Sequence, residues 1–169
     1  APLQVHIADN ALRLEPGRWS SFWSAFVHVM RNAVDHGLES AGARGAAGKT
    51  GNGTLALTTR LDGQEFVVEL ADDGRGIDWR AIADKARATG LPCETQAQLV
   101  EALFADGLTT KQDVSDVSGR GVGMGAARAA CRAREGVMSV HSTIGAGTRV
   151  EFRFPREEMH APVQLRKAS

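Results

Sequence analysis

Eight of the 19 glycines in this 169-residue chain fall into three tight groups: Gly74/Gly76, Gly119/Gly121/Gly123/Gly125 and Gly145/Gly147. Glycine loses more freedom on folding than any other residue, so such clusters belong where backbone must turn sharply or pass close to something. The first group follows a β-prone run, the second opens a helical stretch and the third separates two β-prone runs. The rest of the chain is organised around them.

Residues 3–7, Leu-Gln-Val-His-Ile, suit a short strand. Pro16-Gly17 then opens a long helical pattern, proline being acceptable in a first turn. Trp23, Phe26, Val27, Met30, Ala33 and Val34 recur at helix spacing and predict the buried stripe. Ser24, His28, Arg31, Asn32, Asp35 and Glu39 take the other face, and Gly37 marks a place for the helix to end. Residues 42–53 carry five glycines and read as a mobile surface loop. The runs 54–61 and 64–70 meet at Asp62-Gly63, a hairpin signal. Helices are expected over 78–89, closed by Gly90 and Pro92, and over 95–104. Residues 105–120 are polar and aperiodic, the mark of a functional loop in a domain of this size. An Ala-rich helix over 122–134 precedes a strand pair, 137–142 and 148–154, and the chain from Pro155 reads as a tail. Hairpins with helices between them predict an α+β, two-layer α/β sandwich. Its mixed, mostly antiparallel sheet is covered on one face by helices, unlike a doubly wound parallel fold.

Composition removes other classes. Lys plus Arg number 20 and Asp plus Glu number 20, so there is no positive excess of the kind a nucleic-acid binder needs. No apolar run approaches the roughly 20 residues of a membrane-spanning helix. Two cysteines, Cys93 and Cys131, fit a reduced protein better than a disulfide scaffold.

Four constellations carry chemistry. His28, Asn32, Asp35 and His36 share one face of a 3.6-residue helix, where an Asn carbonyl could serve as one of the few protein oxygens a phosphate-bound Mg²⁺ takes. Taken alone, they also read as an ordinary solvated helix face. Asp72-Asp73-Gly74-Arg75-Gly76-Ile77 puts carboxylates at a strand end, with glycines that let backbone approach a flat ring. Ser118-Gly119-Arg120-Gly121-Val122-Gly123-Met124 places free N–H groups at a helix start, an arrangement that cradles phosphates. It matches neither the P-loop nor the dinucleotide fingerprint. Gly145-Ala146-Gly147-Thr148 is by itself a hairpin loop.

In their order and spacing these motifs resemble the nucleotide-binding (Bergerat) sandwich shared by histidine kinases, Hsp90-type chaperones, gyrase-type topoisomerases and mismatch-repair proteins. Within it they are most similar to the ATP-binding domain of chemotaxis-type, CheA-like histidine kinases. His28-Val29-Met30-Arg31-Asn32-Ala33-Val34-Asp35-His36-Gly37 looks like that family's N box, and Asp72 to Asp78 like its adenine-site motif. Residues 113–124 resemble its lid and phosphate loop. The resemblance implies an ATP-binding catalytic domain over 1–155, a lid about 105–121 and a tail over 156–169.

It also implies roles. Asn32 would hold Mg²⁺, with His28, Asp35 and His36 beside the phosphates. Asp72 would read the adenine amine, with Gly74, Gly76 and Ile77 around it and Thr148 supporting through water. Lys85 and Lys111 would approach the phosphates, His28 and Lys111 as catalytic residues. Ser118, Gly119, Arg120, Gly121, Val122 and Gly123 would form the cradle, and Met124 would pack on the base. Three departures stand out: Ala81 where a basic residue is common, Leu108 for a lid Phe, and Gly125 where Asp often follows the Met. The implied function is transfer of the γ-phosphoryl group of Mg-ATP to a histidine on a separate phosphotransfer domain, which serves a response regulator in the cytoplasm. Dimerisation and receptor-coupling domains of a larger kinase are expected outside this chain, with no nucleic acid and no membrane insertion. A nucleotide-binding regulatory module and an anti-sigma-type serine kinase are the alternatives. A gyrase- or Hsp90-type ATPase would carry Glu where His28 stands.

Overall fold

Pro16 occupies the first turn of a helix whose entry is capped by the Glu15 carboxylate, which accepts from the N–H groups of Gly17 (3.1 Å) and Arg18 (2.6 Å). In the computed structural model, which describes residues 2–8, 10–105 and 122–160, this helix is the centre of the fold. The elements are β1 (Leu3–Ile7), α1 (Pro16–Asn32) running into a π turn (Ala33–Gly37), α2 (Ala41–Ala46), β2 (Gly53–Asp62) and β3 (Glu65–Asp72). After them come α3 (Trp79–Ala88), α4 (Gln96–Leu103), α5 (Val122–Arg132), β4 (Val137–Thr143), β5 (Gly147–Pro155) and a 3₁₀ turn (Arg156–His160). The strands form one sheet in the order β1-β2-β3-β5-β4. Only β1 pairs in parallel, as its helical crossover to β2 requires; the other pairs are antiparallel. The predicted mixed sandwich is therefore the observed fold.

The buried stripe of α1 differs from the predicted one. Trp19, Phe22, Ala25, Phe26 and Val29 are buried, whereas Trp23, Met30 and Ala33 are half-buried and Val27 and Val34 are exposed. The sheet decides this rotation. It presents Phe66, Phe152 and Phe154 on its inner face, and Trp19 meets Phe66 and Phe154 edge-to-face at 5.4 and 4.8 Å. Full burial of a Val or a Phe falls in the same range of about 1.5–3 kcal/mol, but each aromatic pair adds about 0.5–1.5 more, which the two valines cannot make.

On the opposite face no described helix covers the sheet. Val67 is nonetheless completely buried there, in the alternate register to Phe66 and Val68. Charged side chains roof that face: Arg60 pairs with Glu69 and Glu151, and Arg153 with Glu151, Glu65 and Asp62.

Three further expectations change in detail. The β2–β3 turn is Gly63-Gln64, because Asp62 still pairs with Glu65; Gly63 takes φ +60 at the first central position. The expected loop at 42–53 overlaps α2, whose Arg44 is completely buried, its guanidinium drawn inward by the Asp73 carboxylate. At the other end the expected tail begins with a 3₁₀ turn that buries Met159 and joins Glu158 to Arg18 and Arg134.

Candidate functional site

Strand β3 runs two residues further than periodicity predicted, so Asp72 is its last paired residue, opposite Leu55 on one side and Thr148 on the other. Its Oδ1 accepts from the N–H of Gly74 (2.9 Å) and of Thr148 (3.3 Å). Among the described residues both bonds fall on Oδ1, which leaves Oδ2 as an acceptor for an outside donor. The surrounding backbone is packed too tightly for side chains. A Cβ on Gly74 would stand 2.2 Å from the Gly37 carbonyl oxygen, and one on Gly147 (φ +103) 2.0 Å from that of Asp72. Gly37 itself lies against both carboxylate oxygens, 3.4 Å from where its Cβ would be.

Asp72 and Asp73 are adjacent carboxylates with opposite electrostatics. Burial raises the pKa of Asp72 above the ordinary value, the two backbone bonds only partly opposing it, and the charges of Asp73 and Glu39 push the same way. Burial also acts on Asp73, but the paired bonds from Arg44, with those from Thr54, outweigh it and hold that carboxyl below the ordinary value. One carboxylate is committed to structure and the other is kept available.

The helix end reaches this strand end through Gly37. The last turn of the helix is wound wide, with the Leu38 N–H on the Ala33 carbonyl (3.1 Å), and the Gly37 carbonyl accepts from the Arg75 N–H (2.8 Å). Asn32 is half-buried at the end of α1, while His28, Asp35 and His36 face solvent. Gly76 (φ +72) leads into Ile77, whose N–H donates to Ser142 Oγ (2.8 Å); that hydroxyl in turn reaches the Gly147 carbonyl (2.9 Å) and Thr148 Oγ1 (3.0 Å). Ile77 and Met124 are half-buried and pack on the same core.

The fold thus joins Asp72, Gly74, Gly76, Ile77 and Thr148 through the ends of β3 and β5, with Met124 on the shared core; Asn32 stands at the end of α1, whose π turn reaches this cluster through Gly37. Lys85 is exposed on α3 and makes no contact that ties it to this region among the described residues. Lys111, Ser118, Gly119, Arg120 and Gly121 lie outside the described residues, as does Leu108. Val122 and Gly123 open α5. No three His, Cys, Asp or Glu side chains cluster as a metal cage among the described residues. An ion arriving with phosphates needs only one or two protein oxygens, which a single half-buried Asn can supply.

Sequence reasoning missed Glu39, Arg44, Lys49 and Ser142. The second acid of the Asp72-Asp73 pair was the available signal, since a semi-buried carboxylate next to another demands a cation. Neither Arg44 nor Lys49 announces itself within a glycine-rich stretch.

Residues 23–158 match the family described as histidine kinase-, DNA gyrase B- and HSP90-like ATPase. The chemotaxis protein CheA of Treponema pallidum (strain Nichols) is 39% identical over 133 residues, 76% of this chain and 16% of that protein. CheA of Klebsiella aerogenes is 37% identical over 156 residues, 90% of this chain and 24% of that protein. A gliding motility regulatory protein of Myxococcus xanthus is 38% identical over 138 residues, 78% of this chain and 18% of that protein. The chain therefore spans about a quarter or less of the length of these curated relatives. Among solved structures, the catalytic domain of the histidine kinase ThkA superposes with a TM-score of 0.55 over 92% of this chain and 78% of that one, at 17% identity, a likeness of fold. The chain belongs to the histidine kinase-, DNA gyrase B- and HSP90-like ATPase family, and within that family its sequence is similar to the CheA chemotaxis proteins.

Proposed function

We propose that this chain is the ATP-binding catalytic domain of a CheA-like sensor histidine kinase. It binds Mg-ATP and passes the γ-phosphoryl group to a histidine on a separate phosphotransfer domain, from which a response regulator is phosphorylated. The observation that carries the reading is the Asp72 carboxylate, braced through Oδ1 by Gly74 and Thr148 and hemmed by side-chain-free backbone. Its Oδ2 accepts from the exocyclic amine of adenine, and the glycines allow the flat ring to lie against the backbone. Ile77 and Met124 supply apolar surface to the base, and Thr148 supports the same edge through water.

Asn32 would hold Mg²⁺ through its amide oxygen, and the exposed His28, Asp35 and His36 would serve phosphate oxygens and water. Bound there, Mg²⁺ would neutralise charge on the phosphates. The Ser118–Gly123 run, which leads into α5 in sequence, would cradle phosphate through backbone N–H groups, and Lys85 and Lys111 would add positive charge. In the transfer, an imidazole nitrogen of the acceptor histidine forms the N–P bond as the P–O bond to the leaving ADP breaks. Catalysis is positioning and charge neutralisation, to which His28 and Lys111 contribute. The acceptor and the dimerisation and receptor-coupling parts belong to other domains, as the greater length of the relatives supports. A cytoplasmic setting belongs to this two-component reading. Separately, no described helix is long and apolar enough to cross a membrane.

Calorimetric titration with a non-hydrolysable ATP analogue, with and without Mg²⁺, tests this. The wild type should bind in a Mg²⁺-dependent way, and Asp72→Asn should bind about 10- to 100-fold more weakly, the worth of a charge-assisted hydrogen bond. Full affinity in the variant would overturn the assignment. Binding without transfer to a supplied phosphotransfer domain would make the chain a regulatory nucleotide-binding module instead.

A further inference from the structure

Arg44 is the one charged side chain that is completely buried among the described residues, and it lies outside every motif named above. Its Nη1 and Nη2 donate to the two carboxylate oxygens of Asp73 at 3.1 and 2.8 Å, and Nη1 also reaches the Asp73 carbonyl (3.3 Å) and Glu39 (3.3 Å). Its Nε donates to the Thr50 carbonyl (2.8 Å). Lys49 Nζ donates to the carbonyls of Asp73 (2.8 Å) and Gly74 (2.6 Å) and to Glu39 (2.8 Å). Two cations therefore converge on two successive carbonyls, directly after Asp72.

Those carbonyls belong to informative peptide planes. The Asp73 carbonyl shares a rigid trans plane with the Gly74 N–H, which donates to Asp72 Oδ1. The Gly74 carbonyl shares one with the Arg75 N–H, which donates to Gly37 at the helix end. Holding each carbonyl aims the N–H on the other side of the same plane. We propose that Arg44 and Lys49 are positioning residues for adenine-nucleotide binding, locking these two planes so that Asp72 presents its free oxygen to the base and the strand end stays joined to the Asn32 helix; the inference rests on the nucleotide-binding reading above. Glu39, on the segment that follows the N box, completes the lock by accepting from both cations, Arg44 on Oε2 and Lys49 on Oε1.

The test combines amide hydrogen exchange by NMR with nucleotide titration on the whole chain, wild type, Lys49→Met, Arg44→Met and Arg44→Lys. In Lys49→Met the Gly74 and Arg75 amides should exchange about tenfold faster, while those of Val68 and Phe152 in the sheet are unchanged, and ATP-analogue affinity should fall about tenfold. Arg44→Lys should lie between wild type and Arg44→Met. Should Arg44→Met fail to fold, Lys49→Met and Arg44→Lys still decide the matter. Faster exchange at all amides alike, or local acceleration with unchanged affinity, would overturn the positioning role. Failure of the wild type to bind any adenine nucleotide would instead sink the functional reading, and with it this inference, a result distinct from a loss confined to the variants.

Discussion

At the scale of single residues, neighbouring groups of one chemical type are set to opposite uses. The Asp72 carboxyl titrates above its ordinary value, so the folded chain holds that proton more readily than the unfolded one. Its contribution to stability is present below the unfolded pKa and is lost as pH rises through the folded one. Asp72→Asn keeps an acceptor at Oδ1 and removes the buried charge. It should therefore melt above wild type at about pH 7, with the gap closing towards about pH 4, even as it loses nucleotide. Thermal melts across that range check the sign, and a gap that widened on acidification would contradict it. The cysteines divide similarly. Burial pushes the Cys131 thiol up to about 12, whereas Cys93 is half-buried in the smaller α3–α4 core. Alkylation of the native chain at neutral pH should modify Cys93 and spare Cys131, as mass spectrometry would show.

At the scale of elements, glycines of one composition have different reasons to be there. Gly147 adopts φ +103 and its Cβ would strike the Asp72 carbonyl, so Gly147→Ala must move the β5–β3 junction. Gly125 lies within α5, with no described residue's atom within 4 Å of where its Cβ would stand. Gly125→Ala should stabilise by about 1 kcal/mol through helix propensity alone, while Gly147→Ala destabilises by more than that and weakens nucleotide binding. Urea unfolding of both variants measures the contrast. The π turn at Ala33–Gly37 belongs to this scale as well. A sequence wheel continues α1 at an even pitch, but the Gly37 carbonyl is needed by Arg75 and the wider turn delivers it.

For the whole molecule, the core is completed from the far end of the chain. Met159 is buried against the α1 side of the sheet, and Glu158 accepts from Arg18 (2.7 Å) and Arg134 (3.1 Å), whose guanidinium lies over Trp19. Removing the chain after Pro155, or Met159→Ala alone, should lower stability by about 2–5 kcal/mol, read as a lower urea midpoint. A shift near zero would return this segment to the status of a tail.

Amino-acid order alone determined the mixed sheet and most of the elements, though not α2 or the closing 3₁₀ turn, and it singled out Asp72 with its glycines but not Arg44 or Lys49. The elements it did determine rest on local signals that survive outside any tertiary context: strand alternation, helix periodicity, caps at Asp78 and Thr95, and glycine clusters at element ends. Tertiary structure decided which stripe of α1 faces inward, because the three sheet phenylalanines that choose Trp19, Phe22 and Phe26 are distant in sequence. It decided that Asp73 is tied up by Arg44 while Asp72 keeps Oδ2 open among the described residues, since that follows from where Arg44 arrives across 29 residues. Periodicity describes one element's own faces; which acceptor a buried cation meets is set only when separate elements pack together.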